Sequence, residues 1–317
     1  MNLKKIAYVF SNYTSRPDGI AIHSENLLFE LSKSKKILID IIINKKHKKF
    51  LLDRDKDNIL SNSKANFIEL NVNNKILEIF ITFFIINTKS YNLIIFPSIY
   101  LSFSIKNKSI KIIHDFTYKR YSESLSSLQI FYKNLTKLTL YFDNYIGYIS
   151  MTTLKEIKKF AKNQIINSKL VYTPTCFYNS FPVTTNLIKN SNAINFLFVG
   201  SLNKHKGFDD SINFLNAFSD YSKEIAINVN FVGKVKKETR LILEKFKINK
   251  KINFTIHNYI SDDELKSFYK ISDFLLCLSK NEGFGIPIIE SIKYGCLPIV
   301  SELEIFEEIL SDKYELT

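Results

Sequence analysis

Asn281-Glu282-Gly283-Phe284-Gly285-Ile286-Pro287-Ile288-Ile289-Glu290 is the stretch on which the reading of the fold turns. Two carboxylates stand eight positions apart, with two glycines, a proline and apolar residues between them. Upstream, residues 272–279 (SDFLLCLS) read as a buried strand. Downstream, residues 287–294 read as a short helix, because a proline at the first helical position has its φ already set and gives up no N–H that the helix needs. Gly295 falls where a helix C-terminal glycine belongs, and Leu297-Pro298-Ile299-Val300 opens the next strand. The order is strand, glycine loop, helix, strand. Such a loop presents bare backbone N–H groups at a helix N-terminus, a setting that favours phosphate. Glu282 precedes the phosphate position and Glu290 follows it inside the helix. A ligand with hydroxyls on both sides of a diphosphate fits this layout, and a nucleotide sugar is such a ligand.

The same alternation runs through the chain. Strand-like apolar runs at 5–10, 37–43, 92–96, 110–113 and 145–149 alternate with helical spacing at 23–33, 75–87 and 136–143. Several of these strands are almost purely apolar, as expected of a parallel sheet covered on both faces. Residues 181–195, with Pro182, threonines and asparagines and little periodicity, read as a linker. The pattern then restarts, with strands at 196–199, 228–232 and 252–256 and helices at 208–218, 236–246 and 262–269. The expected fold is α/β, with two Rossmann-like doubly wound domains at 1–185 and 186–317.

At 317 residues the chain is long enough for two cores, and 45% of it is hydrophobic. No uninterrupted apolar stretch reaches the length of a membrane span, and the basic N-terminus reads as a first strand rather than a signal peptide. The most apolar run, 76–86, reads as a core helix. Cys176, Cys277 and Cys296 have no metal-ligand spacing and suit a reducing cytoplasm. The formal charge is +13, with 40 lysines to 4 arginines. Lys45-Lys46-His47-Lys48-Lys49 is its densest run. It reads either as solvated surface or as attraction to an anionic membrane surface or lipid phosphate. With so little arginine and no nucleic-acid module, no nucleic acid is expected as partner. Asp53-Arg54-Asp55-Lys56-Asp57 contains Asp-x-Asp twice, a metal-binding signature elsewhere. Here it reads as a polar loop among lysines, and no metal is expected.

The glutamate loop resembles that of the retaining glycosyltransferases of family 4, which have the two-domain GT-B fold. Phe198-Val199-Gly200-Ser201-Leu202, followed by Lys206-Gly207 and a helix, is similar to the family's donor loop. Residues 253–273 and Pro298-Ile299-Val300-Ser301 with Glu307-Glu308 resemble the segments around the glutamate loop. Gly19-Ile20-Ala21, His114-Asp115 and Ser150 with Thr153 are the first-domain matches. The resemblance runs from about residue 5 to about residue 310 and implies a GT-B enzyme.

By motif, the resemblance implies that Glu282 faces the donor sugar and Glu290 the ribose. Gly283, Phe284 and Gly285 fall at the diphosphate, with Phe284 read as packing. Lys206 corresponds to the lysine that neutralises the departing diphosphate. Where the family has an arginine this chain has Ser201, and Lys204 is the substitute cation. His114 corresponds to a histidine that touches the donor sugar, and Gly19 to a glycine loop over the donor. The activity implied is metal-independent, retaining transfer of a hexose from a nucleoside diphosphate sugar to a polysaccharide or lipid-linked glycan. It needs no cofactor, and the expected location is the cytoplasm or the inner face of the cell membrane. The family continues beyond the point matching Thr317, so a truncated member, or an inactive sugar-nucleotide-binding protein, is the alternative. The Glu282–Glu290 spacing disfavours a sugar-nucleotide epimerase of similar architecture.

Overall fold

The computed structural model describes residues 3–10, 19–55, 57–99, 102–114, 138, 140, 142–161, 169–172, 193–222, 225–235, 239, 243, 246, 251–258 and 260–310. The chain divides into two units, Met1–Asn179 and Ser180–Thr317.

In the first unit the described elements are β1 (Lys4–Phe10), α1 (Gly19–Ser32), β2 (Ile37–Asn44), α2 (Lys45–Arg54), β3 (Ala65–Leu70), α3 (Lys75–Thr88), β4 (Leu93–Phe96), β5 (Ser109–Ile113), β6 (Tyr145–Tyr148), α4 (Met151–Ala161) and β7 (Lys169–Tyr172). The seven strands are parallel in the order β3-β2-β1-β4-β5-β6-β7. Side chains alternate across a strand, so β1 feeds two cores. Ile6, Tyr8 and Phe10 pack with Leu28 of α1 and Leu51 of α2, while Ala7 and Val9 pack with Ile86 of α3. Helices therefore cover both faces, as the unbroken apolar strands require.

The second unit contains β8 (Ala193–Val199), α5 (Phe208–Tyr221), β9 (Ala226–Val232), β10 (Ile252–His257), α6 (Asp262–Ile271), β11 (Phe274–Cys277), α7 (Ile286–Lys293), β12 (Leu297–Val300) and α8 (Glu304–Leu310). Its five strands are parallel in the order β10-β9-β8-β11-β12. Phenylalanine fills the core: Phe196, Phe198, Phe208, Phe231 and Phe246 are all buried. Phe208 meets Phe198 and Phe231 edge-on at 5.7 and 5.3 Å, a favoured aromatic geometry.

Three sequence expectations change. Residues 45–54 form an unexpected helix that takes in Asp53 and Arg54 of the run read as polar loop, because Asn44 caps it by accepting the Lys46 N–H and Leu51 anchors it in the core. Strand β3 escaped notice because its burial is only partial. Helix α3 packs on the core through Ile79, Ile81, Ile85 and Ile86, but it is not wholly a core helix, for its outward row is exposed apolar surface. Of the expected linker, residues 181–192 lie outside the described residues, and 193–195 already belong to β8. Half of the expected helix at 136–143 and most of that at 236–246 also fall outside them.

One buried polar pair was not foreseen. Lys111 of β5 and Asp143 are both fully buried, with Nζ 3.0 Å from Oδ2. Ser109 Oγ donates to Asp143 Oδ1 at 2.8 Å, and Lys111 Nζ donates to the Ser102 carbonyl at 3.3 Å. Burial pushes the Lys111 pKa down, and Asp143 opposes that. Removing one partner leaves the other charge buried and uncompensated. Asp143→Ala is therefore expected to destabilise the first unit by about 3–5 kcal/mol, whereas Lys111→Met with Asp143→Leu costs much less. Urea unfolding followed by circular dichroism tests this, and equal losses in the single and double variants would sink the account.

Candidate active site

In an open α/β sheet, ligands bind outside the carboxyl ends of the strands where the strand order reverses. In the second unit that point lies between β8 and β11. The loop after β8 and the loop after β11 flank it, and they carry the residues singled out in the sequence.

Glycine sets how closely the two loops approach. Gly207 has φ +68°, and a Cβ there would lie 1.7 Å from the Leu278 carbonyl oxygen. The Lys280 N–H donates to the His205 carbonyl at 3.0 Å, which ties the loops together. In the same way a Cβ on Gly233, after β9, would lie 1.8 Å from the Gly200 carbonyl oxygen. Only glycine allows both approaches.

This fit brings Lys206 to Glu282. Residues Lys204–Lys206 form a single 3₁₀ turn, capped by Asn203, whose side chain accepts the Lys206 N–H at 2.9 Å. From that turn Lys206 Nζ reaches Glu282 Oε1 at 2.6 Å, and Ser279 Oγ donates to the same oxygen at 3.0 Å. The pair is partly buried, Glu282 more than Lys206. Lys204 lies elsewhere: it is well exposed, with Nζ 3.9 Å from Asp209 Oδ2 in the first turn of α5.

Beyond Glu282 the chain enters α7 through Gly285 at φ +83°, with Pro287 in the first turn and no side chain capping the N-terminus. The helix dipole and its N–H groups are thus directed at whatever lies before Gly285. Phe284 is buried and serves as packing. Gly295, at φ +76°, ends α7 as its position implied.

Glu290 lies inside α7, partly buried, and accepts the Tyr269 hydroxyl on Oε2 at 2.8 Å. Burial raises its pKa to about 7, and Asp262 adds to the rise, while Tyr269, Lys293 and Lys266 pull the other way. Burial also pushes the Cys277 thiol up to about 12, with Glu282 contributing, so this cysteine stays a neutral core group. Cys277 and Cys296 are both buried free thiols.

His114 and Gly19 belong to the first unit. Gly19 opens α1; residues 11–18, including Asp18 before it, lie outside the described residues. His114 follows β5 and is buried, with Nε2 2.8 Å from the Pro97 carbonyl oxygen. Its own carbonyl accepts from Thr153 Oγ1 at 3.0 Å, and Thr153 is in turn bonded to Ser150. That explains the serine and threonine noted before α4. Asp115 lies outside the described residues. Sequence reasoning missed His23 of α1, whose ring meets His114 edge-on at 4.7 Å. Burial and the neighbouring His114 hold its pKa down at about 3, and neither ring nitrogen has a hydrogen-bond partner among the described residues. Nothing in the spacing of the two histidines pointed to this contact.

The Asp-x-Asp repeat is accounted for locally. Asp55 ends α2 and accepts the N–H groups of Ile59 and Leu60 at 2.7 and 2.9 Å. Among the described residues no group of three acidic, histidine or cysteine side chains could hold a metal.

Comparison with known proteins bears on the fold that carries these loops. Residues 185–315 match the family described as Glycosyl transferases group 1. That match falls within the second unit. The O-antigen chain mannosyltransferase RfbU of Salmonella typhimurium is 26% identical over 208 residues, 66% of this chain and 56% of that protein. Among solved structures, WaaG, a glycosyltransferase involved in lipopolysaccharide biosynthesis, superposes with a TM-score of 0.61 at 15% identity, over 93% of this chain and 80% of that one. HepE from Anabaena, solved with UDP-glucose, gives a TM-score of 0.61 at 12% identity, over 97% and 83%. These likenesses establish the GT-B fold. The matched stretches span 14–56% of the curated relatives' own lengths.

The Glu290 proton gives a direct test of the site's electrostatics. Its folded pKa lies above the ordinary 4.5, so folding takes up a proton. The stability this contributes is complete below about pH 4.5 and is lost as pH rises through about 7. The scale is about 1.4 kcal/mol for each tenfold change in proton affinity. Wild type is thus expected to be less stable at pH 8 than at pH 6, and Glu290→Gln to flatten that slope. Denaturant midpoints across this range decide it; an unchanged slope in the variant would place the titration elsewhere.

Proposed function

We propose that this chain is a retaining glycosyltransferase of the family 4 type, moving a hexose from a nucleoside diphosphate sugar to a polysaccharide or lipid-linked glycan. The observation that carries the proposal is the Lys206–Glu282 pair, 2.6 Å long, set across the two loops of the switch point beside the uncapped N-terminus of α7. The diphosphate would sit before Gly285, on the N–H groups of the glycine loop. The ribose hydroxyls would donate to ionised Glu290, whose second oxygen is already oriented by Tyr269.

Lys206 is the cation for the leaving group. As the sugar–phosphate bond breaks, negative charge gathers on the departing diphosphate oxygen. A fixed ammonium there stabilises that state more than the bound donor. Glu282, itself held by the Ser279 hydroxyl, keeps the lysine in place before the donor arrives. The attacking hydroxyl would pass its proton to the donor phosphate, so no protein base is required, and a lysine in this role removes the need for a metal. RfbU is named a mannosyltransferase and HepE was solved with UDP-glucose, so GDP-mannose and UDP-glucose are the first donors to try. A lipid-linked acceptor and the basic charge support a proposed location at the inner face of a membrane.

The test is a donor panel of GDP-mannose, UDP-glucose and UDP-galactose, reading release of the nucleoside diphosphate and the anomer of the product. Turnover with retained configuration, undiminished by EDTA, is the expected result. Loss on chelation with rescue by manganese would overturn the metal-free reading. Tight nucleotide binding without turnover of any donor would instead leave a sugar-nucleotide-binding protein.

Two variants separate the roles. Lys206→Ala is expected to lower kcat on the order of 10²–10³-fold with a much smaller change in KM; a change confined to KM would assign the lysine to ground-state binding. Glu290→Gln is expected to weaken nucleoside diphosphate binding by about 1.5–3 kcal/mol, and unchanged affinity in calorimetry would remove Glu290 from the ribose.

A further inference from the structure

Helix α3 packs Ile79, Ile81, Ile85 and Ile86 on the sheet core, yet it also carries an exposed apolar row. The row facing the sheet is Glu78, Thr82 and Ile86, all buried. The row facing outward is apolar: Ile76, Leu77, Phe80 and Phe84 are 65%, 49%, 58% and 62% exposed. Their spacing puts them on one stripe. Ile105, 71% exposed, extends the stripe at its far end, because its N–H donates to Asn87 Oδ1 near the end of α3 at 2.7 Å. Phe103 fixes the same loop by packing edge-on against Phe83 at 5.2 Å. Five large apolar side chains are thus exposed on α3 and on the loop bonded to its end, the kind of surface that marks an interaction site.

Lysines accompany the exposed apolar row among the described residues of α3 and the loops next to it. Lys75, Lys89, Lys106 and Lys108 are exposed on its flanks. The sequence has no Asp or Glu between Glu78 and Asp115. Glu78 itself points inward, bonded to Lys75 at 2.8 Å and Asn44 at 3.2 Å. An apolar stripe flanked by lysines is the pattern of a helix lying in a lipid interface, its apolar face among the acyl chains and its cations at anionic headgroups. With 14 residues the helix is about 21 Å long, too short to cross roughly 30 Å of hydrocarbon. A second copy fits less well. A twofold contact through this patch would set its lysine flanks against themselves. The lysine run of α2 is a weaker candidate, because Lys48 is already held by Glu69 at 2.7 Å and lies over the Phe67 ring.

We propose that α3 and the adjoining loop at 103–106 dock this chain on an anionic lipid surface. The inference deepens the membrane location proposed above, and its test uses no sugar donor, so it stands or falls apart from sugar transfer.

The chain contains no tryptophan, so Phe80→Trp makes a single reporter in the full protein. Its emission is expected to shift to the blue with vesicles of phosphatidylglycerol and phosphatidylcholine, but not with phosphatidylcholine alone at moderate salt. In sedimentation with the mixed vesicles, Phe80→Ser with Phe84→Ser is expected to lower binding at least about tenfold, taking the lost burial of two aromatic side chains as the main effect. Its circular dichroism and nucleoside diphosphate affinity should match wild type. Replacing Lys45, Lys46, Lys48 and Lys49 by glutamine should lower binding less. The proposal is overturned if the double variant binds vesicles like wild type, if the emission of the Phe80→Trp variant does not move, or if the α2 replacements alone abolish binding. It is also overturned if the Phe80 and Phe84 changes only convert a dimer to a monomer in analytical ultracentrifugation, which would assign the patch to a second copy.

Discussion

The close approach of Gly207 to the Leu278 carbonyl is the constraint on which the site in the second unit rests. Two strands that are neighbours in the sheet but distant in sequence, β8 and β11, end side by side. Their loops then compete for the same space. Glycine at φ +68° lets one backbone lie directly on the other. Any side chain there would push the 3₁₀ turn outward and carry Lys206 away from Glu282. The Lys280–His205 backbone bond closes the same seam. The ion pair is thus a consequence of backbone packing. At 2.6 Å, and only partly exposed, it is held more firmly than an ordinary surface pair, which is worth little because water and salt compete for it.

Position within the sheet then divides the labour between the two glutamates. Glu282 stands in the loop, where a lysine and a serine hydroxyl satisfy it while it still reaches solvent. Glu290 is about one turn into the helix, with the buried Tyr269 hydroxyl as its partner, and its proton affinity rises accordingly. The same residue type eight positions apart meets two dielectric surroundings. A carboxylate that is costly to ionise gains most from a ligand that brings hydroxyl donors to it. This is a physical reason for the second glutamate to sit inside the helix rather than in the loop.

Much of this was legible in the sequence because glycine and proline carry positional information. Gly285, Pro287 and Gly295 marked the start and end of α7, and the apolar runs marked the parallel strands. Lys206 and Glu282 could be named singly, but their contact depends on the strand order, which no local pattern encodes. The same holds for Lys111 with Asp143 and for His23 with His114, pairs formed by neighbours in the fold and not in the chain. Helix α2 was hidden by its lysines, since composition outweighed the Asn44 cap and the one buried anchor at Leu51. Strand β3 was hidden by its half-exposed alternation.

Helix α3 shows why periodicity has a limit. A run that is apolar on nearly every side has no strong contrast between its faces, so the pattern establishes a helix and leaves its rotation open. The assumption that an apolar helix is a core helix then places all of it inside. Tertiary contacts chose otherwise. Asn44, at the end of β2, accepts from the backbone of α2 and donates through its amide nitrogen to Glu78 and to the Val72 carbonyl. This polar cluster fixes Glu78 on the inner face of α3. Thr82 and Ile86 lie at four-residue steps along the same row and follow it inward. Phe80 and Phe84, about half a turn away, are turned to solvent as a result. A buried glutamate with satisfied hydrogen bonds therefore sets the rotation of the helix, and through it determines that the largest apolar side chains of the segment face outward.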